Sequence, residues 1–153
     1  MRRPHVPHPS SLLCLLLLPL AVLEAAVFEH NPTHFRISGV LSCPHRRSTY
    51  WCFKVYLYEY DTLDKDELAS FGVRCTDQES LTYNLNGYDD SDGPGDNYFE
   101  LFLWIYHNCS LHGNIFQEVH NLSTVAITEK DVVREHLNYN VSVKGKRVDD
   151  WDQ

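Results

Sequence analysis

Alternate-residue hydrophobicity in short stretches is the feature that most limits what this chain can fold into. Phe35, Ile37, Gly39 and Leu41 alternate with Arg36, Ser38 and Val40, and Phe53, Val55 and Leu57 alternate with Lys54, Tyr56, Tyr58 and Tyr60. Successive side chains of a strand point to opposite faces, so this period buries one side of a sheet and does not suit a helix. Leu81, Tyr83 and Leu85 repeat the pattern, as do residues 115–122 and the set Leu137, Tyr139, Val141 and Val143. Residues 99–107 are apolar almost throughout, which fits a strand covered on both faces. Residues 68–75 return beside the second strand after an acidic turn at 61–67. Asn86-Gly87 closes the fourth strand, and residues 88–97 read as a loop by composition. Thr128-Glu129-Lys130-Asp131 has capping-box spacing, which predicts one helical turn before Arg134. Seven or eight short strands separated by turn signals predict an all-β antiparallel sandwich.

The N-terminus carries a different signal. Arg2 and Arg3 precede an apolar run from Leu12 to Leu23, and Ala25 and Ala26 follow it. A charged start, a short apolar run and small residues at its end are the pattern of a removable secretory signal. The run is too short, and too broken by Pro19, to cross a bilayer. Residues 1–26 are therefore read as a signal peptide cut after Ala25 or Ala26. Residues 27–145 form one domain, and residues 146–153 an exposed tail. Without the signal the chain holds 11 basic and 20 acidic residues, a net of −9, which disfavours nucleic acid as a partner through bulk charge.

Export places the cysteines in an oxidising compartment. Cys14 leaves with the signal, and Cys43, Cys52, Cys75 and Cys109 remain, enough for two disulfides. Folding residues 54–60 and 68–75 into a hairpin sets Cys52 opposite Cys75, close enough to bridge, which leaves Cys43 for Cys109. The spacings hold no close Cys-x-x-Cys pair, so a zinc site is disfavoured. Sequons at Asn108, Asn121 and Asn140 are candidate glycosylation sites, while Pro32 excludes Asn31. Asn121 and Asn140 are the better two, because the middle residue of the Asn108 sequon is the bridged Cys109.

Several segments, taken in order, resemble the nematode transthyretin-like family. Residues 37–43 (ISGVLSC) look like its opening Gly-x-Leu-x-Cys segment, and residues 55–62 (VYLYEYDT) like its second strand. Residues 103–109 (LWIYHNC) are close to its Ile-Tyr-His-(Asp/Asn)-Cys signature. The chain departs from that pattern in lacking a cysteine near its C-terminus and in carrying Cys52 and Cys75. The resemblance implies a transthyretin-like β-sandwich and secretion. It also implies a non-enzymatic binding or adaptor role outside the cell, towards a surface protein, a lipid or a small apolar ligand, with no cofactor and with homo-oligomers possible.

Other residue clusters carry candidate chemistry, each with a plainer structural reading. The related sandwich enzymes that hydrolyse 5-hydroxyisourate end in Tyr-Arg-Gly-Ser, which this chain lacks. Asp89, Asp90, Asp92 and Asp96 invite a calcium reading, but setting Gly93 at position 6 of an EF-hand loop puts Phe99 where Glu belongs. Cys109 with His107 and His112 invites a nucleophile or metal reading, which a disulfide at Cys109 removes. Lys146-Arg147 after Gly145 is a dibasic pair that admits a peptide-precursor reading. Tyr56, Tyr58 and Tyr60, with Trp104 and Tyr106, are the candidate binding surface if their strands share a sheet. The competing reading makes the same rings a second core layer.

Overall fold

The computed structural model describes residues 31–44, 50–60, 64–90, 97–141 and 145–151. Residues 1–26, read above as a signal peptide, and most of the Asp89-to-Asp96 loop lie outside them. Within the described residues the chain forms β1 (Thr33–Ser42), β2 (Trp51–Tyr60), β3 (Lys65–Thr76), β4 (Ser80–Asp89) and β5 (Tyr98–His107). The later strands are β6 (Ile115–Ala126), β7 (Asp131–Arg134), β8 (Tyr139–Asn140) and β9 (Lys146–Val148). One sheet has the order β4-β1-β7, with β8 also pairing β1, and the other the order β3-β2-β5-β6-β9. The fold is all-β and sandwich-like. Every pairing is antiparallel except those of β7 and β8 with β1.

The alternation read from the sequence sets which residues fill the space between the sheets. Phe35, Ile37 and Leu41 from β1 meet Phe53, Val55 and Leu57 from β2 and Phe99, Leu101, Leu103 and Ile105 from β5, all almost fully buried. Polar groups at the rim of this core are satisfied. The Tyr83 hydroxyl donates to the Leu137 carbonyl at 2.8 Å, and Trp51 Nε1 donates to the Gln78 carbonyl at 2.8 Å. Cys43 is bonded to Cys109, joining the end of β1 to the end of β5 across the core. Cys52 is bonded to Cys75, its direct partner in the β2–β3 ladder.

Four local expectations are corrected. Asn86-Gly87 is no turn: both residues lie inside β4, opposite Arg36 and Phe35. Glycine is needed there because a Cβ would sit 2.2 Å from the Leu68 carbonyl oxygen of the crossing β3. The capping-box segment makes a simple turn closed by Glu129 N–H donating to the Ala126 carbonyl. Asp131 then enters a strand beside β1 and meets Arg36 in an exposed ion pair. Among the described residues the expected last strand is Tyr139–Asn140, and Val143 lies outside them. The C-terminal segment is largely exposed but is not a free tail: Lys146–Val148 is a strand on the edge of β6, with Val148 buried.

Candidate functional site

Residues of β2 and β5 that point away from the core build an aromatic layer on the outer face of the five-stranded sheet. The ladder sets Tyr56 opposite Trp104, Tyr58 opposite Phe102 and Lys54 opposite Tyr106. The rings touch in sequence. Tyr56 stacks on Tyr58 at 5.4 Å, Tyr58 meets Trp104 edge-on at 4.9 Å, and Tyr60 meets Phe102 edge-on at 4.7 Å. These are the offset and edge-to-face geometries that ring quadrupoles favour.

The layer has two halves, so each of the competing readings holds for part of it. Tyr56 and Tyr106, at 9% and 1% exposure, form a second buried cluster with Val148, and Trp151 packs against it. Tyr106 is fixed further by Gln117, whose side-chain N–H donates to its hydroxyl at 2.6 Å. Tyr58 and Trp104 are half-buried, Tyr60 is exposed, and Val119, opposite Trp104 on β6, is exposed too. This second half faces solvent.

Two lysines lie on the rings. Lys65 Nζ sits 3.8 Å from the Trp104 ring centre and 4.5 Å from that of Tyr58, and Lys54 Nζ sits 4.4 Å from that of Tyr56. Both are within cation–π range. Burial, and next the charge of Glu67, push the Tyr58 phenol up to about 12, so it stays a neutral donor at physiological pH. Trp104 Nε1 is buried and has no hydrogen-bond partner among the described residues. The surface therefore offers ring faces and two cations, with the Trp104 Nε1 donor buried beneath it. Phe102 and Lys65 belong to it and were not singled out in the sequence. Phe102 shares the parity of Trp104 and was legible there, whereas Lys65 reaches the rings only because β3 begins opposite Tyr60.

A second titratable cluster lies on the inner face. His107 Nε2 donates to one oxygen of Glu118 and His120 Nε2 to the other, each at 3.2 Å, since a carboxylate can only accept. Burial disfavours the Glu118 charge, but the two imidazole hydrogen bonds outweigh it and hold the carboxyl at about 2. His107 is fully buried and its Nδ1 has no partner among the described residues. His120 stacks on Tyr139 with ring centres 4.0 Å apart. His107 and Cys109 do not form a nucleophile pair, because the Cys109 sulfur is bonded to Cys43. His112 stands in the exposed turn after β5. Among the described residues no group of three or more His, Cys, Asp or Glu side chains is placed to hold a metal ion.

The three sequons differ in setting. Asn121 and Asn140 are exposed. Asn108 is half-buried, and its Oδ1 accepts the Cys52 N–H at 2.7 Å. Among the described residues no helix is long and apolar enough to cross a membrane.

Fold and site thus define a disulfide-stapled all-β sandwich with an aromatic outer sheet face. Residues 38–149 match the family model described as "Caenorhabditis elegans protein of unknown function (DUF870)", and the chain belongs to that family. It is also 30% identical over 120 residues to the Caenorhabditis elegans protein called "Uncharacterized protein B0416.7", an overlap covering 71% of this chain and 82% of the relative.

Proposed function

We propose that the protein is a secreted, non-enzymatic binding or adaptor module that recognises an extracellular partner through the aromatic face of its five-stranded sheet. The observation that carries this reading is the half-exposed row of Tyr58, Tyr60, Phe102 and Trp104 in mutual contact on the solvent side of the sheet. Aromatic side chains of this kind anchor interfaces, and an outward layer of them has no role in the core between the sheets. The partner is a cell-surface protein, a lipid or a small apolar ligand. An excess of acidic residues weighs against nucleic acid.

Secretion is supported by the leader pattern and by two disulfides, which persist in oxidising compartments. A transthyretin-like assignment is supported by the quoted motifs and by the two-sheet architecture they imply. Asn121 and Asn140 are the proposed glycan sites. Asn121 lies opposite Phe102 in the β5–β6 ladder, so its glycan would border the aromatic face. The peptide-precursor alternative has Lys146-Arg147 as its site, and the pair lies exposed in the edge strand β9.

Oxidative footprinting of the protein on dissociated nematode cells tests the reading. Tyr58, Tyr60 and Trp104 should be protected on binding, while Tyr88, exposed on the other sheet, should not. Protection at Tyr88 without protection at Trp104 would place the contact on the wrong sheet.

A further inference from the structure

We infer that the C-terminal segment is a removable cover, and that cleavage after Lys146-Arg147 by an endoprotease specific for paired basic residues exposes the other half of the aromatic face. The inference rests on the binding reading above, since it enlarges the same surface. Four observations carry it. First, Val148 and Trp151 close over Tyr56 and Tyr106, which share a sheet face with the exposed Tyr58 and Trp104. Second, the cover is weakly tied. It is held by a three-residue pairing, Lys146 to Val148 against Ile115 to Gln117, at the edge of the sheet. Both disulfides close before it, at Cys75 and Cys109. Short terminal pairings of this kind open at far lower free energy than a core strand.

Third, the basic pair presents itself. Lys146 and Arg147 are exposed, in extended backbone, on an edge strand. Gly145 precedes them with φ of 86°, and a Cβ there would meet the Gln117 carbonyl oxygen at 2.1 Å. The entry to β9 is therefore a glycine-dependent bend, after which the chain is carried by its three-residue strand pairing and by the packing of Val148 and Trp151. Fourth, what lies beneath is already organised. Tyr106 has its hydrogen bond from Gln117, and Tyr56 its stacking on Tyr58, both made with residues outside the cover.

The step is hydrolysis of the Arg147–Val148 peptide bond. Water supplies the oxygen that completes the Arg147 carboxylate, and its two protons complete the Val148 ammonium. The released peptide begins at Val148 and carries Trp151 away. Tyr56, Tyr106 and Ile115 then join Tyr58 and Trp104 in one continuous apolar surface.

The experiment starts from folded, disulfide-bonded protein, so the cut is made after folding and no truncated chain has to fold. Arg46-Arg47 is a second basic pair, and Arg46→Gln/Arg47→Gln removes it. In that background the protease should release the peptide starting at Val148 with the circular dichroism of the sandwich retained. Tyr106 should then become reactive to tetranitromethane, and 8-anilinonaphthalene sulfonate emission should rise severalfold. Adding Lys146→Gln/Arg147→Gln should abolish all three changes. Resistance of the bond until the sandwich itself melts would overturn the inference, as would release of the peptide with Tyr106 still protected. Neither result touches the binding reading, which is tested on the uncut protein through Tyr60 and Trp104.

Discussion

Glu118→Gln should remove a pH-dependent part of the stability that can be worked out from the His107–Glu118–His120 contacts. The folded carboxyl titrates at about 2 against an ordinary value of 4.5. The folded value is depressed, so its contribution is fully present above about pH 4.5 and is lost as the pH falls towards 2. At about 1.4 kcal/mol per unit, the contribution is about 3 kcal/mol at neutral pH and about 1.5 kcal/mol at about pH 3. Solvent screening takes little from it, because Glu118 is only 8% exposed. The assay is urea unfolding of both proteins with disulfides intact, read at several pH values. The wild type should lead Glu118→Gln by about 2–3 kcal/mol near neutrality, and the lead should fall by about half at about pH 3. Other carboxylates cancel in the difference. A gap that stays constant between about pH 6 and about pH 3 would refute the reasoning.

Three other outcomes follow from the same structure. Chain-entropy arguments give about 4 kcal/mol for the Cys43–Cys109 bridge and about 3 kcal/mol for Cys52–Cys75, from separations of 66 and 23 residues. Thermal melts of Cys43→Ser/Cys109→Ser should therefore lie below those of Cys52→Ser/Cys75→Ser. Gly39→Ala should cost about 1–3 kcal/mol in the urea midpoint, since its Cβ would lie 2.0 Å from the Leu137 carbonyl oxygen. Val148→Ser/Trp151→Ala should raise the tetranitromethane reactivity of Tyr106 in the uncut chain, and an unchanged rate would show that something else shields it.

The parts of this fold legible in the sequence are those where one sheet face is buried along a whole strand. Phe35 to Leu41 and Phe53 to Leu57 show it, and Phe99 to Ile105 are apolar because β5 lies in the middle of its sheet. The Cys52–Cys75 partnership was legible because both residues sit in one hairpin, where register is local. What escaped was non-local. Asp131–Arg134 is a strand only because β1 lies alongside it, and nothing within it, or within the expected strand at Tyr139–Asn140, announces a parallel partner. Gly87 carries a turn residue's identity for a different reason, the close approach of Leu68. The candidate surface shows the same division. Parity placed Tyr56, Tyr58, Tyr60, Trp104 and Tyr106 on one face, while the burial of two of them depends on Val148 and Trp151, over forty residues beyond Tyr106.

The central claim, that the aromatic face is the binding surface, is tested most directly by the affinity of labelled protein for dissociated nematode cells. Trp104→Ala and Tyr60→Ala should each weaken binding by about 2 kcal/mol, about thirtyfold in Kd, as expected of anchoring rings. Thr82→Ala, exposed on the four-stranded sheet, should leave it unchanged. Wild-type affinity in both aromatic variants, with loss in Thr82→Ala, would contradict the account.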